Sequence, residues 1–167
     1  MIEVYQDFLD PDLYKDCYNF AQQSWRMGTP NNFRTHFQNA PRELLGDSFP
    51  IMIQDLREGD LYNRLVTNVR NKLGNYKLSY LCFYYWTRFS HMGWHTDDDW
   101  KGGVTIYLNE KWERNWGGMF VYEDGSEIKG IVPKPNLAVA QLDGVPHAVT
   151  PITWNGDIRY TIQFFIN

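Results

Sequence analysis

Cysteine is scarce, with only Cys17 and Cys82 among 167 residues, so neither a disulfide framework nor a thiolate metal site is to be expected. Basic residues are not in excess either. Sixteen Lys and Arg face twenty Asp and Glu, for a formal charge of −4 and a pI near 5.5, and no basic run marks a nucleic-acid or membrane partner. No stretch approaches the ~20 apolar residues that span a bilayer, and Met1-Ile2-Glu3-Val4-Tyr5 lacks the basic start and apolar run of a leader. A cytoplasmic protein is the expectation. Internal repeats, low-complexity tracts and linkers are also missing, so the 167 residues read as one domain, large enough to bury a sizeable core.

Aromatic residues, in contrast, make up 17% of the chain, which suits broad sheets with a wide interior to fill. Ile2, Val4 and Phe8 suggest a short opening strand, and Asp10-Pro11 reads as a helix start. Leu13, Cys17, Phe20, Ala21 and Ser24 form one stripe of that helix, which ends before Gly28-Thr29-Pro30. Residues 31–50 show no period and read as a long loop with one helical turn near Glu43-Leu44-Leu45. Asp60 is placed as the cap of a second helix with Leu61, Leu65, Val66, Val69 and Leu73 on one face and Gly74 at its C-cap.

From Lys77 the pattern changes to short β-rich runs: 78–86, 94–97, 103–108, 118–122, 127–132, 137–142, 147–151 and 158–166. Helices followed by many closely spaced strands imply an α+β, mainly β fold in which antiparallel strands make a sandwich or open barrel. Helical support occupies about residues 1–76 and the β core about residues 77–167.

Within the β region, Trp94-His95-Thr96-Asp97 offers two ligands: residues two apart on a strand project from one face roughly 7 Å apart. His147, in Val145-Pro146-His147-Ala148-Val149, is the candidate third ligand. Two imidazoles and a carboxylate hold a divalent first-row metal on one triangular face and leave the opposite positions open. Downstream, Arg159 presents a planar fork suited to a carboxylate, with Thr161 on the same strand face two residues on. Asp98 and Asp99 read as a solvated turn and Trp94 as core packing, while His91 lies in a loop at the mouth of the pocket.

The order His95-x-Asp97, a long gap, His147, then Arg159-x-Thr161 resembles the iron(II)/2-oxoglutarate-dependent dioxygenases and, within them, the prolyl 4-hydroxylase-like branch. Thr105-Ile106-Tyr107-Leu108-Asn109 with Trp112, the Gly117-Gly118 strand 116–122, and the run 131–139 before His147 extend the likeness from about Tyr80 to Asn167. The resemblance implies a double-stranded β-helix, or jelly roll, with N-terminal helices packed on it. It implies Fe(II) held by His95, Asp97 and His147, 2-oxoglutarate as cosubstrate paired with Arg159 and Thr161, O₂, and ascorbate as a candidate auxiliary. Tyr85 matches the tyrosine of the cosubstrate pocket, with Tyr84 as a rival because a one-residue register shift exchanges their faces. Phe33, Arg34 and His36 would then contribute to substrate binding. The expected activity is hydroxylation of a C–H bond in a prolyl, peptidyl or amino-acid substrate, coupled to decarboxylation of 2-oxoglutarate to succinate. A non-catalytic, cupin-like metal- or small-molecule-binding barrel is the competing reading, against which Arg159-x-Thr161 argues.

Overall fold

The computed structural model describes residues 1–27, 34–35 (backbone only), 51–74 and 76–167. Helix α1 (Pro11–Met27) begins at the proline, whose missing N–H costs nothing in a first turn, and buries Leu13, Cys17 and Ala21. Helix α2 (Asp60–Leu73) buries Leu65, Val66 and Val69. Its cap departs from the sequence reading. Gly59 occupies the cap position at φ 98° with no side-chain cap hydrogen bond, and Asp60 is the first helical residue, where its charge favours the helix dipole. Gly74 does end the helix at positive φ, donating its N–H to the Arg70 carbonyl.

Eleven described strands follow one another as β1 (Ile2–Tyr5), β2 (Arg34–Thr35), β3 (Ile51–Asp55), β4 (Leu78–Trp86), β5 (Met92–His95), β6 (Gly102–Tyr107), β7 (Phe120–Asp124), β8 (Glu127–Ile131), β9 (Ala138–Leu142), β10 (His147–Val149) and β11 (Arg159–Ile166). They form two antiparallel sheets, a large one ordered β1-β9-β6-β11-β4-β3-β2 and a small one ordered β5-β10-β7-β8. This is the jelly-roll core that the resemblance implies. All eight predicted runs after Lys77 shift by no more than two residues at either end; 118–122 begins and ends two residues later, at Phe120–Asp124, because Gly117 and Gly118 both turn at positive φ. Strand β3 was not anticipated; its Ile51 and Ile53 alternate inward beside β4. The loop turn at 43–45, Phe33 and His36 lie outside the described residues, as does the Arg34 side chain.

The large sheet has two unlike faces. One carries Phe83, Tyr85, Ile106, Ala138, Ala140, Ile162 and Phe164 into a core closed by both helices. The other faces the small sheet, with clusters around Cys82, Tyr84 and Trp86 and around Tyr107, Phe120 and Val139. The N-terminal segment is tied across the core by Asn136, which stands at φ 53°, accepts the Leu9 N–H at 2.8 Å and donates to the Leu9 carbonyl at 2.8 Å. Among the described residues no helix is long and apolar enough to cross a membrane.

Candidate metal centre

The site lies between the sheets, where β5 and β10 run antiparallel with His95 directly opposite His147. From there to the next pairing, Met92 opposite Val149, β5 spends one residue more than β10. That bulge breaks the two-residue alternation, so Met92 and His95 both face the interior while Trp94 turns outward and is 47% exposed. Trp94 is therefore not core packing: as the strand neighbour of inward-facing His95 it takes the outer face. The strand also stops at His95, so Asp97 reaches the site from the following turn rather than from the strand face. A backbone hydrogen bond from Trp100 N–H to the Asp97 carbonyl, 2.9 Å, closes that turn, and Asp98 and Asp99 are exposed on it at the edge of the cavity.

His95 Nε2 lies 3.8 Å from one Asp97 carboxylate oxygen and His147 Nε2 lies 3.9 Å from the other. One donor atom from each of the three residues falls within 4.8 Å of the others, so together they could hold a single metal ion. Both rings are held from behind. His95 Nδ1 sits 2.8 Å from the Gly93 carbonyl and His147 Nδ1 2.9 Å from the Val145 carbonyl. A carbonyl can only accept, so each Nδ1 carries the proton and each Nε2 lone pair is turned toward Asp97. Phe120 stacks on His147 with ring centres 5.2 Å apart, fixing its plane. Burial, with His95 adding to it, lowers the His147 pKa to about 4, so the ring is neutral at pH 7, the form that binds metal. Burial raises the Asp97 pKa, against the opposing pull of His95 and of an amide hydrogen bond from Gln141.

A cavity of about 300 Å³ opens from these three residues and is also lined by Tyr84, Trp86, Tyr107, Gln163 and Arg159. Arg159 is 1% exposed. Its guanidinium stacks 4.1 Å from the Trp86 ring centre, and its Nη1 donates to the Gly118 carbonyl, which the Gly117-Gly118 turn delivers. A side chain at Gly118 would crowd that contact, since a Cβ there would come within 3.0 Å of Nη1. Arg159 Nε has no partner, and among the described residues no carboxylate lies in ion-pair range. Burial lowers the Arg159 pKa to about 10, which leaves a cation at neutral pH. A buried charge without a counter-ion is costly, and a carboxylate is the group its free donors suit.

Thr161 lies on the same face of β11 as Arg159, as expected, but its hydroxyl accepts a 3.1 Å hydrogen bond from the Trp86 indole and does not line the cavity. Tyr85 is the clearest correction. It is buried on the helix side, stacked on Trp25 and hydrogen-bonded to Gln54 at 2.5 Å, whereas Tyr84 faces the cavity. Strand alternation decides between them, since Tyr84 is cross-strand from Thr161 and Trp86 from Arg159 on one face, leaving Tyr85 for the other. Sequence reasoning missed Trp86 and Gln141; even spacing from Tyr84 was an available signal for Trp86.

The family model of the 2OG-Fe(II) oxygenase superfamily matches residues 80–167. Among solved structures, a Pseudomonas putida prolyl-4-hydroxylase is 18% identical, with a TM-score of 0.74 over 99% of this chain and 91% of that one. A Trichoplax adhaerens prolyl hydroxylase in complex with a peptide fragment of the hypoxia inducible factor oxygen degradation domain is 16% identical, with a TM-score of 0.75 over 99% and 82%. A viral collagen prolyl hydroxylase from Paramecium Bursaria Chlorella virus-1, as its 2OG complex, is 13% identical, with a TM-score of 0.68 over 99% and 94%. No curated protein matches.

Proposed function

Since the chain belongs to the 2OG-Fe(II) oxygenase superfamily, which makes it a 2-oxoglutarate-dependent dioxygenase, we propose that it hydroxylates a C–H bond of a prolyl or other peptidyl substrate, or of a free amino acid. In this reading His95, Asp97 and His147 hold Fe(II), and Arg159 takes the far carboxylate of 2-oxoglutarate. The single observation that carries the reading is the juxtaposition of this His-Asp-His triad with a buried, uncompensated Arg159 in one cavity. A metal-binding barrel without catalysis would have no use for that cation.

Bound together, Fe(II) and 2-oxoglutarate supply the oxidant for C–H hydroxylation while 2-oxoglutarate becomes succinate and CO₂. The chain's own task is placement. The two backbone carbonyls hold the imidazoles with Nε2 exposed, the Gly118 carbonyl and Trp86 hold the Arg159 fork, and Tyr107 and Phe120 keep water from the interior. Toward solvent the cavity is lined by Tyr80, Trp100 and Phe165, an aromatic wall on which an extended peptide can lie. Support for a peptide comes from the Trichoplax adhaerens structure, where a peptide fragment is bound to the same fold.

The test is aerobic incubation of the iron-loaded protein with 2-oxoglutarate, ascorbate and proline-containing peptides. Succinate release stimulated by peptide, and a peptide mass gain of about 16 units for one inserted oxygen, is expected. Stimulation by free amino acids alone would move the substrate to a small metabolite, and stimulation by alkylated oligonucleotides alone would overturn the peptide reading.

A further inference from the structure

Strand β9 alternates cleanly until its last turn of the pleat. Ala138 and Ala140 face the helices, Val139 faces the small sheet, and the next residue on Val139's side is Gln141, 8% exposed and lining the cavity. An aliphatic side chain would fill that position at no desolvation cost, so the amide calls for a reason. Its Nε2 donates to the Asp97 carboxylate, while its Oε1 is buried without a partner. The reverse orientation would set Oε1 against an ionised carboxylate, so the direction of the amide is fixed by charge. The structure thus tolerates one orphaned acceptor in order to keep a donor on Asp97, and buried unsatisfied groups of this kind persist where a site needs them.

The space for this contact is built into the neighbouring strand. Gly103 of β6 is directly cross-strand from Gln141, and a Cβ there would lie 3.2 Å from Gln141 Nε2 and 3.4 Å from the Asp97 oxygen. Only glycine leaves both groups undisturbed.

We propose that Gln141 is a positioning residue for Asp97: its amide occupies one carboxylate oxygen and so reserves the other as a single metal-binding atom. A carboxylate that cannot swing to bind through both oxygens leaves the remaining metal positions to cosubstrate and O₂. Gln141 acts through Asp97. The inference rests on His95, Asp97 and His147 being the metal ligands, and a Co(II) titration of the unmodified protein reads that assignment by itself.

Gln141→Met keeps the length and bulk of the side chain and removes the donor. The metal-free variant should melt near the temperature of the parent, because the loss of the donor to Asp97 is offset by the removal of an unsatisfied buried acceptor. Its Co(II) affinity should fall by about 10–100-fold, the usual cost of losing a group that orients a metal ligand, and the visible d–d bands of the Co(II) complex should change shape. The KM for 2-oxoglutarate should rise with them. Gly103→Ala, which crowds the amide against Asp97 while leaving both residues in place, should move the affinity and the Co(II) spectrum in the same direction by less. Parent-like Co(II) affinity and spectrum in Gln141→Met overturn the proposal, as does a lowered melting temperature with unchanged metal binding, which would make Gln141 a packing residue of the sheet. Failure of the parent protein to bind Co(II) would strike the metal assignment itself and this proposal with it.

Discussion

Strand β11 presents two proteins at once. Tyr160, Ile162 and Phe164 point to the helices and bury into the main core, while Arg159, Gln163 and Phe165 point the other way into the cavity. One backbone and one hydrogen-bond ladder to β4 and β6 serve both. On the helix face the packing is mainly apolar, and its buried polar groups, such as Tyr85 on Gln54, are paired. On the cavity face the chain buries a guanidinium without a counter-ion, orphans an amide oxygen and desolvates a carboxylate. The first face stabilises the fold, and the second is tolerated because the first does so. Substitutions on the two sides should therefore separate stability from ligand binding.

The largest separation should come from Phe164→Ala. Removing a fully buried aromatic side chain leaves a cavity in the main core and should cost about 3–5 kcal/mol of unfolding free energy, read by chemical denaturation. The protein that remains folded should titrate 2-oxoglutarate as the parent does. Arg159→Ala inverts this pattern. Truncating one partner of a buried ion pair should weaken 2-oxoglutarate binding by about 2–5 kcal/mol with the circular dichroism spectrum unchanged. Arg159→Lys should fall between, keeping the charge and losing the fork. An unchanged KM for 2-oxoglutarate in Arg159→Ala would dissolve the contrast between the faces.

His95→Ala should lower metal affinity by more than the roughly 10–100-fold seen when only a supporting group is lost. Its melting temperature without metal should stay near the parent's, since His95 is partly exposed and outside the apolar clusters. The smallest and sharpest comparison is between adjacent tyrosines. Tyr85→Phe loses a buried hydrogen bond to Gln54 and should cost about 0.5–1.5 kcal/mol of stability with no change in cosubstrate binding. Tyr84→Phe should do the opposite, altering 2-oxoglutarate KM more than stability. Equal effects of the two on KM would mean that strand alternation does not divide this sheet as described.

Much of this was legible in the order of residues. Regular alternation located most strands, because the side-chain period of two is imposed by the pleat and survives in hydrophobicity. The triad and Arg159 were found from residue type and order, and the fold brings them to one cavity. What failed has a common cause, namely that pairing across strands is not written in local pattern. The bulge in β5 brings Met92 to the same face as His95, and nothing in Met92-Gly93-Trp94-His95 announces it, since a bulge is a mismatch with a partner strand. Tyr84 and Tyr85 could not be told apart within a run in which six consecutive residues are buried, Leu81 to Trp86; alternation vanishes when both faces are covered. Gln141 was invisible for another reason. Its amide bonds to another side chain of the candidate site, and its meaning depends on Asp97 arriving from a turn far away in sequence.

The place of β11 in the large sheet also governs how the molecule must be made. In chain order β11 comes after every other strand, yet it fills the middle of the sheet, with β6 on one side and β4 on the other. Strand β1, the first described strand in chain order, pairs with β9 and so waits for most of the strands between them. Such pairings are distant along the chain, and closing them is slow compared with forming α1 or α2. Until β11 inserts, β4 and β6 each show an unpaired edge, the template on which incomplete chains associate. Arg159 arrives on that same strand, so under the proposed role of Arg159 a chain that has not yet inserted β11 would gain nothing from 2-oxoglutarate.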